Sequence, residues 1–140
     1  MDIDELTEQF EVAEFDYKSQ PDTVYFLVDD KEVVYVGRTR HLTKRSEEHK
    51  NGHTNRYNNR AHKMIFDKVY YIRRIWDSGD AGIIERAFIE LLQPKYNVQH
   101  RSYVRTVRRV TRGVVELIPG DKTRCLKTIQ FELSHSKPVG

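Results

Sequence analysis

The sequence has little that would place the protein in a membrane or in a disulfide-stabilised fold. Cys125 is the single cysteine of the chain, so neither an intrachain disulfide nor a cysteine-based zinc site can form. No apolar run approaches the roughly 18 residues that a membrane helix needs. Residues 1–16 also lack the basic start and the continuous apolar stretch of a signal peptide. We therefore expect a cytoplasmic protein without a membrane partner.

Positive charge is missing from the start of the chain and abundant in the rest. Residues 1–16 carry seven of the 21 acidic residues and no Lys or Arg. The remaining 124 residues hold all 24 Lys and Arg against 14 acids, a net charge of +10. These cations concentrate in residues 37–63 and 100–112, interleaved with Tyr, Asn and His. Such patches are typical of proteins that bind a phosphate backbone, and a merely solvated surface is the alternative.

The length of 140 residues suits one domain with a real core. We predict an acidic N-terminal helix in residues 1–20, a core in residues 21–99 and a basic extension in residues 100–140. The helix would cap the core, or form an acidic strip over the basic surface. Within the core, the apolar patterns predict a hairpin, a short helix, a third strand and a longer helix, in the segments "TVYFLV" with "VVYVG", "LTKRSEEHK", "FDKVYYIRRI" and "AGIIERAFIELLQ".

The C-terminal extension contains two further segments with strand patterns. The stretch "RTVRRVTR" suits a strand or a helix, and "GVVELIPGDKTRCLKTIQFELS" predicts two strands about the turn Pro119–Lys122. We expect a basic hairpin packed on or beside the core, able to follow a nucleic-acid backbone, complete the sheet or form a dimer face.

The predicted hairpin brings two tyrosines together. If its loop has three residues and closes on Val28 and Glu32, Tyr25 lies directly opposite Tyr35 on one face of the sheet. A loop of two or four residues would place the two rings on opposite faces. On the helix that follows, Arg45 and His49 are one turn apart and share a face. Two phenols, a guanidinium and an imidazole can therefore converge.

A carboxylate in the longer helix falls among apolar side chains. Glu85 lies inside the apolar arc of this helix, whereas Arg86 and Glu90 lie outside it. A carboxylate that points toward a core must be paired, protonated or bound to a metal. Glu85 is therefore a candidate metal ligand, and an ion pair with a core arginine such as Arg45 is the ordinary alternative.

These residues together resemble the GIY-YIG endonuclease family. Thr23-Val24-Tyr25 stands in place of the first family triad, and Tyr35-Val36-Gly37 stands in place of the second. Arg45 follows Gly37 by eight residues, and His49 follows four residues later. The segment "IIERAFIELLQPKYN" resembles the helix that carries the family glutamate, here Glu85, and ends at Asn97. The resemblance covers about residues 22–99, and Thr23 departs from the first glycine of the family.

The resemblance implies an α/β fold of the α+β type, with a small three-stranded antiparallel sheet flanked by helices. It also implies cleavage of phosphodiester bonds with one divalent cation, Mg²⁺ or another such as Mn²⁺, held by Glu85. Tyr25 would be the general base, and Tyr35 would position water or phosphate. Arg45 would hold the phosphate, and His49 would hydrogen-bond there or shuttle a proton. Asn97 would brace the backbone of the site.

The basic residues then define the expected nucleic-acid surface. The side chains that we expect to contact nucleic acid are Arg38, Arg40, Lys44, His53, Arg56, Tyr57, Arg60, Lys63, Arg105, Arg108 and Arg109. The sequence thus predicts a DNA endonuclease, in a phage, mobile-element or restriction setting, with a homodimer as one arrangement. A non-cleaving nucleic-acid-binding module of the same fold and an RNA nuclease are the alternatives.

Overall fold

A computed structural model describes residues 1–18, 23–51, 64–75, 78–97, 107–111, 114–118 and 122–138. The helices are α1 (Ile3–Gln9), α2 (Leu42–Asn51), α3 (Ser78–Leu92) and α4 (Lys122–Ser134). The strands are β1 (Val12–Glu14), β2 (Thr23–Asp29), β3 (Glu32–Thr39), β4 (Lys68–Ile72), β5 (Arg74–Ile75), β6 (Val107–Thr111), β7 (Val114–Ile118) and β8 (Lys137–Pro138).

The central sheet is antiparallel and has the strand order β1-β4-β2-β3. The predicted fold is confirmed, with one strand more than expected, because β1 joins the edge of β4. Strand β2 lies between β4 and β3, and six of its seven residues are buried, as the apolar run "TVYFLV" requires of a strand covered on both faces. The two other pairings, β5 with β8 and β6 with β7, form separate two-stranded sheets.

The turn between β2 and β3 is shorter than the sequence pattern suggested. Asp29 pairs with Glu32, so the loop contains only Asp30 and Lys31. These two residues have φ angles of 47° and 67°, the left-handed conformation that a two-residue type I′ turn requires. The predicted three-residue loop is therefore wrong.

A β-bulge in β3 changes the register of the hairpin. Next to the turn the pairing is that of a two-residue loop, but beyond it Leu27 pairs with Tyr35 and Tyr25 pairs with Gly37, which leaves Val34 as an extra residue. The predicted direct pairing of Tyr25 with Tyr35 is wrong. The shorter loop alone would place Tyr35 on the sheet face opposite Tyr25. The extra residue in β3 returns Tyr35 to the same face, so the two tyrosines are diagonal neighbours on one face.

Helices cover both faces of the sheet. On one face, called here the α3 face, Phe26 packs with Phe10 and Phe88 in a cluster that also takes in residues of α1 and α4. On the other, the α2 face, Tyr25 and Leu27 pack with Leu42 of α2 and with side chains of β1, β3 and β4. Since each strand residue points to the face opposite its neighbour, Tyr25 and Phe26 belong to different clusters.

The N-terminal segment is part of the α3 face. Asp2 caps α1 by accepting a hydrogen bond from the Glu5 amide at 3.1 Å, and Leu6 is completely buried. The Ile3 amide donates to the carbonyl of Lys31 in the β2–β3 turn at 3.0 Å. The predicted helix is thus present and packs on the core.

The C-terminal extension differs from its predicted form. A hairpin exists, but it joins β6 to β7 and precedes the predicted turn at Pro119–Lys122. The segment "TRCLKTIQFELS", predicted as a strand, lies in α4. Cys125 and Ile129, spaced one helical turn apart, are buried in the α3-face cluster. Burial of this one helical stripe explains the outcome, because it stabilises the helix against the strand preference of Thr123, Thr128 and Ile129.

No helix in the described part of the chain is long and apolar enough to cross a membrane.

Candidate active site

Helix α2 places an arginine and a histidine over the sheet. Its buried stripe consists of Leu42, Ser46 and His49, which recur at helical spacing. Arg45 lies at the side of this stripe and forms an ion pair with Glu48, with 2.9 Å between Nη1 and Oε2. The predicted common face of Arg45 and His49 is therefore present, and the helix presents both side chains toward β2 and β3.

Two phenols and the imidazole meet on the α2 face. The Tyr25 hydroxyl lies 2.6 Å from Nε2 of His49, within hydrogen-bond distance. The rings of Tyr25 and Tyr35 have centroids 6.0 Å apart, and those of Tyr35 and His49 are 4.7 Å apart. Tyr25 is completely buried, whereas Tyr35 is partly exposed. Tyr35 is thus the phenol at the surface, and Tyr25 is the phenol behind it.

Gly37 makes room for the Tyr25 ring. Tyr25 and Gly37 are direct cross-strand partners, and a Cβ atom added to Gly37 would lie 2.5 Å from both Cζ and the hydroxyl oxygen of Tyr25. The ring therefore lies across the bare backbone of β3, a close approach that only glycine permits. This contact gives a physical reason for glycine in the segment Tyr35-Val36-Gly37.

Asn97 braces the edge strand that carries Tyr35. Its side chain accepts a hydrogen bond from the Val36 amide and donates one to the Val36 carbonyl, both at 2.8 Å. The preceding amide of Tyr96 donates to the carbonyl of Val34 at 3.0 Å. Asn97 is buried and so replaces a missing neighbour strand at this point. These bonds fix the backbone on both sides of Tyr35.

Thr23 takes an ordinary strand conformation in place of the family glycine. It begins β2 opposite Thr39, and its φ angle is not positive. Its buried hydroxyl donates to the carbonyl of Ile72 at 2.7 Å. The substitution therefore leaves the strand regular and adds a bond between β2 and β4.

Glu85 lies on α3, the helix on the opposite face of the sheet from α2. It is half-buried, and its charge adds to the rise that burial causes in the pKa of Tyr35. Among the described residues, no three His, Cys, Asp or Glu side chains are grouped to hold a metal ion. A single carboxylate such as that of Glu85 is an oxygen donor of the kind that suits a hard cation such as Mg²⁺.

Burial controls the protonation of the phenols. Burial raises the pKa of Tyr25 well above its ordinary value of 10, Tyr35 adds to this rise, and Arg45 opposes it. Burial also raises the pKa of Tyr35, again against the effect of Arg45. Burial alone would lower the pKa of Arg45, but Tyr25 and the hydrogen bond to Glu48 outweigh that effect and raise it. Two neutral phenols thus lie beside a permanently charged guanidinium.

The histidine of the cluster is neutral at ordinary pH. Burial lowers the pKa of His49 to about 4, and the positive charge of Arg45 contributes to the same shift while Glu48 opposes it. A neutral imidazole has one nitrogen that can accept a proton. His49 is therefore uncharged where its Nε2 meets the Tyr25 hydroxyl, and in one tautomer Nε2 can accept a hydrogen bond from that hydroxyl.

The predicted nucleic-acid contacts are only partly described. Arg38 on β3 is half-buried and lies close to Gly82 of α3, and Arg40 and Lys44 are exposed. Arg108 and Arg109 lie on β6, opposite Leu117 and Glu116 of β7. The other predicted contacts lie outside the described residues and are His53, Arg56, Tyr57, Arg60, Lys63 and Arg105.

Two residues that hold parts of the site in place, Glu48 and Tyr96, were not predicted from the sequence. Glu48 holds the Arg45 guanidinium, and its position three residues along the same helix is a recognisable signal for such a pair. Tyr96 ties the end of the α3 segment to β3 and also accepts a hydrogen bond from the Ile65 amide at 3.2 Å. That contact joins segments distant in sequence and has no local signature.

The fold and the site define a small α+β protein with a Tyr-Tyr-Arg-His cluster on one face of its sheet. A comparison with protein-family models matches residues 21–98, more than half of the chain, to the UvrC-like GIY-YIG domain. The chain belongs to the GIY-YIG family. Membership of this family supports a nuclease-type function. No curated protein and no solved structure matches the chain.

Proposed function

We propose that the protein is a metal-dependent DNA endonuclease that hydrolyses phosphodiester bonds. The observation that carries this proposal is the 2.6 Å contact between the Tyr25 hydroxyl and His49 Nε2, within a cluster that also contains Tyr35 and Arg45. A hydroxyl bonded to a neutral base is the arrangement that general-base catalysis needs. The cluster also holds a cation for the phosphate, so the groups required for hydrolysis of a phosphodiester lie together.

The buried phenol acts through the imidazole. Because Tyr25 stays protonated at neutral pH, it accepts a proton from the attacking water only as it gives its own proton to His49. With the imidazole proton on Nδ1, Nε2 is free to receive that proton from the phenol. One proton then moves from water to the Tyr25 oxygen and another from Tyr25 to Nε2, while the water oxygen bonds to phosphorus and the bond from phosphorus to the leaving oxygen breaks. The leaving oxygen takes a proton from solvent, and the imidazolium releases one to solvent.

Arg45 and Tyr35 bind the phosphate on either side of this relay. The Arg45 guanidinium is held by Glu48 and retains exposed surface, so part of its donor fork can bind a phosphate oxygen. Its fixed charge offsets the charge that develops there during the reaction. Tyr35, the partly exposed phenol, donates a hydrogen bond that orients water or phosphate.

Glu85 would hold the divalent cation, Mg²⁺ or Mn²⁺. When bound, the cation supplies Lewis-acid stabilisation of the phosphate and its leaving group. The fit rests on the half-buried carboxylate of Glu85 and on its electrostatic effect at Tyr35, since hard oxygen donors suit such cations and water and phosphate can complete the coordination. An ion pair between Glu85 and Arg45, whose Nη1 is bound by Glu48, is the alternative to this metal assignment.

DNA is the proposed substrate because of the charge of the chain outside its acidic start. That part carries a net charge of +10, and the exposed Lys44 lies in the first turn of α2, with the exposed Arg40 just before that helix. Exposed cations bind the phosphate backbone independently of sequence. Arg108 and Arg109, in the β6–β7 hairpin, are proposed to add to this binding. A homodimer remains part of the proposal for binding two DNA strands.

The test compares two glutamates of the same helix. Glu85→Ala should abolish nicking of supercoiled plasmid in Mg²⁺ and leave DNA binding largely intact, because it removes the metal ligand and not the basic surface. Glu90→Ala, on the same helix but outside its apolar arc, should retain activity. Structured RNA tested in parallel distinguishes an RNA nuclease. Wild-type activity in Glu85→Ala would disprove the metal assignment, and binding without cleavage by the wild-type chain would favour the non-cleaving module.

A further inference from the structure

An exposed apolar patch borders the candidate active site. Met64, Phe66 and Tyr96 are partly buried against the same cluster that contains Tyr25 and Leu27. Ile65, between the first two, is 68% exposed. We call these four residues, Met64, Ile65, Phe66 and Tyr96, the apolar rim. An isoleucine this exposed, whose backbone adjoins a partly buried aromatic ring, is the kind of apolar surface found at interaction sites.

Backbone hydrogen bonds attach the rim to the catalytic elements. The Met64 amide donates to the carbonyl of His49 at 3.2 Å, and the Tyr96 amide donates to the carbonyl of Val34, the neighbour of Tyr35. The Ile65 amide donates to the Tyr96 hydroxyl at 3.2 Å, which fixes the orientation of that ring. The rim is therefore a preorganised surface joined to both the histidine helix and the tyrosine strand.

Positive charge near the apolar rim indicates the kind of partner that it binds. The ammonium of Lys95 lies 5.2 Å from the centre of the Tyr96 ring, and Lys68, next to the rim in sequence, is exposed. An aromatic ring with adjacent cations is the surface on which proteins stack unpaired bases beside a phosphate. Exposed branched apolar side chains in turn insert between bases and unstack them. A neutral apolar partner surface would leave both ammonium groups without counterparts.

We propose that the apolar rim holds an unstacked base of the nucleic-acid substrate next to the cleaved phosphate. The inference rests on the proposed nucleic-acid substrate and narrows it to strands with a base outside the helical stack. Ile65 would serve as the wedge and Tyr96 as the stacking surface. The rim is thereby a specificity surface that contributes to choice of substrate, separate from the residues that perform the chemistry.

The test measures binding without cleavage, in the full chain carrying Glu85→Ala. Two duplexes of identical sequence are compared, one fully paired and one with a single extrahelical 2-aminopurine, a fluorescent base. We expect tighter binding of the second duplex and quenching of its base. Adding Ile65→Ser should reduce that preference by about 5- to 10-fold, in line with the loss of part of the apolar burial of one inserted side chain, and change affinity for the paired duplex less than about twofold. Tyr96→Leu should abolish the quenching.

The control is Phe131→Ser, which removes a similarly exposed side chain (61%) from α4, the helix packed on the α3 face. It should leave the preference unchanged. The inference is overturned if Ile65→Ser preserves the preference, if it weakens both duplexes equally, or if it only changes the oligomeric state in sedimentation. If the wild-type chain does not cleave DNA, the proposed function fails. That result is separate, because these binding measurements do not depend on cleavage.

Discussion

Gly37→Ala should disable the site by displacing one ring. The added methyl would lie 2.5 Å from Cζ and from the hydroxyl oxygen of Tyr25 and 2.8 Å from its Cε1, whereas nonbonded carbon atoms settle at roughly 3.5–4.0 Å. The ring must therefore move by about 1 Å. Tyr25 is completely buried and bonded to His49 at 2.6 Å, so this movement stretches the hydrogen bond on which the proposed proton transfer depends.

The expected magnitudes follow from that displacement. A misplacement of 1 Å at a reacting group costs about 10²-fold in rate, and overpacking of a core costs about 1–3 kcal/mol of stability. Single-turnover plasmid cleavage and urea unfolding measure the two effects. The rate should fall far more than the loss of folded protein explains, because the protein remains mostly folded after a loss of that size.

Gly82→Ala is the matched control. Its added Cβ would meet only Nη1 of Arg38, at 3.7 Å, an ordinary contact. Because Gly82 lies within α3, alanine there should raise stability by about 0.4–1 kcal/mol and leave cleavage unchanged. If Gly37→Ala instead cleaves within a few-fold of the wild type, the close contact between ring and backbone is not what positions Tyr25, and the reasoning fails.

Two further predictions concern Asn97 and His49. Asn97→Ala removes both hydrogen bonds to Val36 and leaves two peptide groups unpaired, so the free energy of unfolding in urea should fall by about 2–4 kcal/mol; an unchanged value would show that water replaces the amide. Since the pKa of His49 is lowered from 6.5 to about 4, protonation favours the unfolded chain, and stability should be complete above pH 6.5 and decline between 6.5 and 4. His49→Gln should remove this part of the pH dependence, and cleavage by the wild type should persist to about pH 5, whereas an acid limb near 6.5 would contradict a buried neutral imidazole.

Regular patterns allowed most of the fold to be predicted. The apolar stripe of α3, the glycine that follows α2 in the sequence, and the apolar runs of β2, β3 and β4 are strong local signals, and the structure contains all five elements. Helix α4 was predicted as a strand, and its β-branched residues do favour strands. Cys125 and Ile129 of this helix are buried in the cluster that contains the apolar side chains of α3. Tertiary packing, which a local pattern does not report, decided the outcome.

The shared face of Tyr25 and Tyr35 was predicted from a wrong register. The loop is one residue shorter than assumed, and the bulge at Val34 adds one residue back. Each difference alone would have separated the two phenols, and together they cancel. Nothing in an ordinary valine within "VVYVG" marks a bulge, so this geometry could not be deduced from the sequence. The close contact at Gly37 likewise depends on the actual register.

The most direct test of the account is single-turnover cleavage of supercoiled plasmid by Tyr25→Phe. This change retains the ring that packs across Gly37 and removes only the hydroxyl bonded to His49. We predict Mg²⁺-dependent cleavage by the wild type, and a loss of about 10²- to 10⁴-fold in rate for Tyr25→Phe, as expected for loss of a general base. Tyr35→Phe, which removes a positioning hydrogen bond, should lose less. Cleavage by Tyr25→Phe at the wild-type rate, with unchanged pH dependence, would contradict the central claim and return Tyr25 to the role of a core residue.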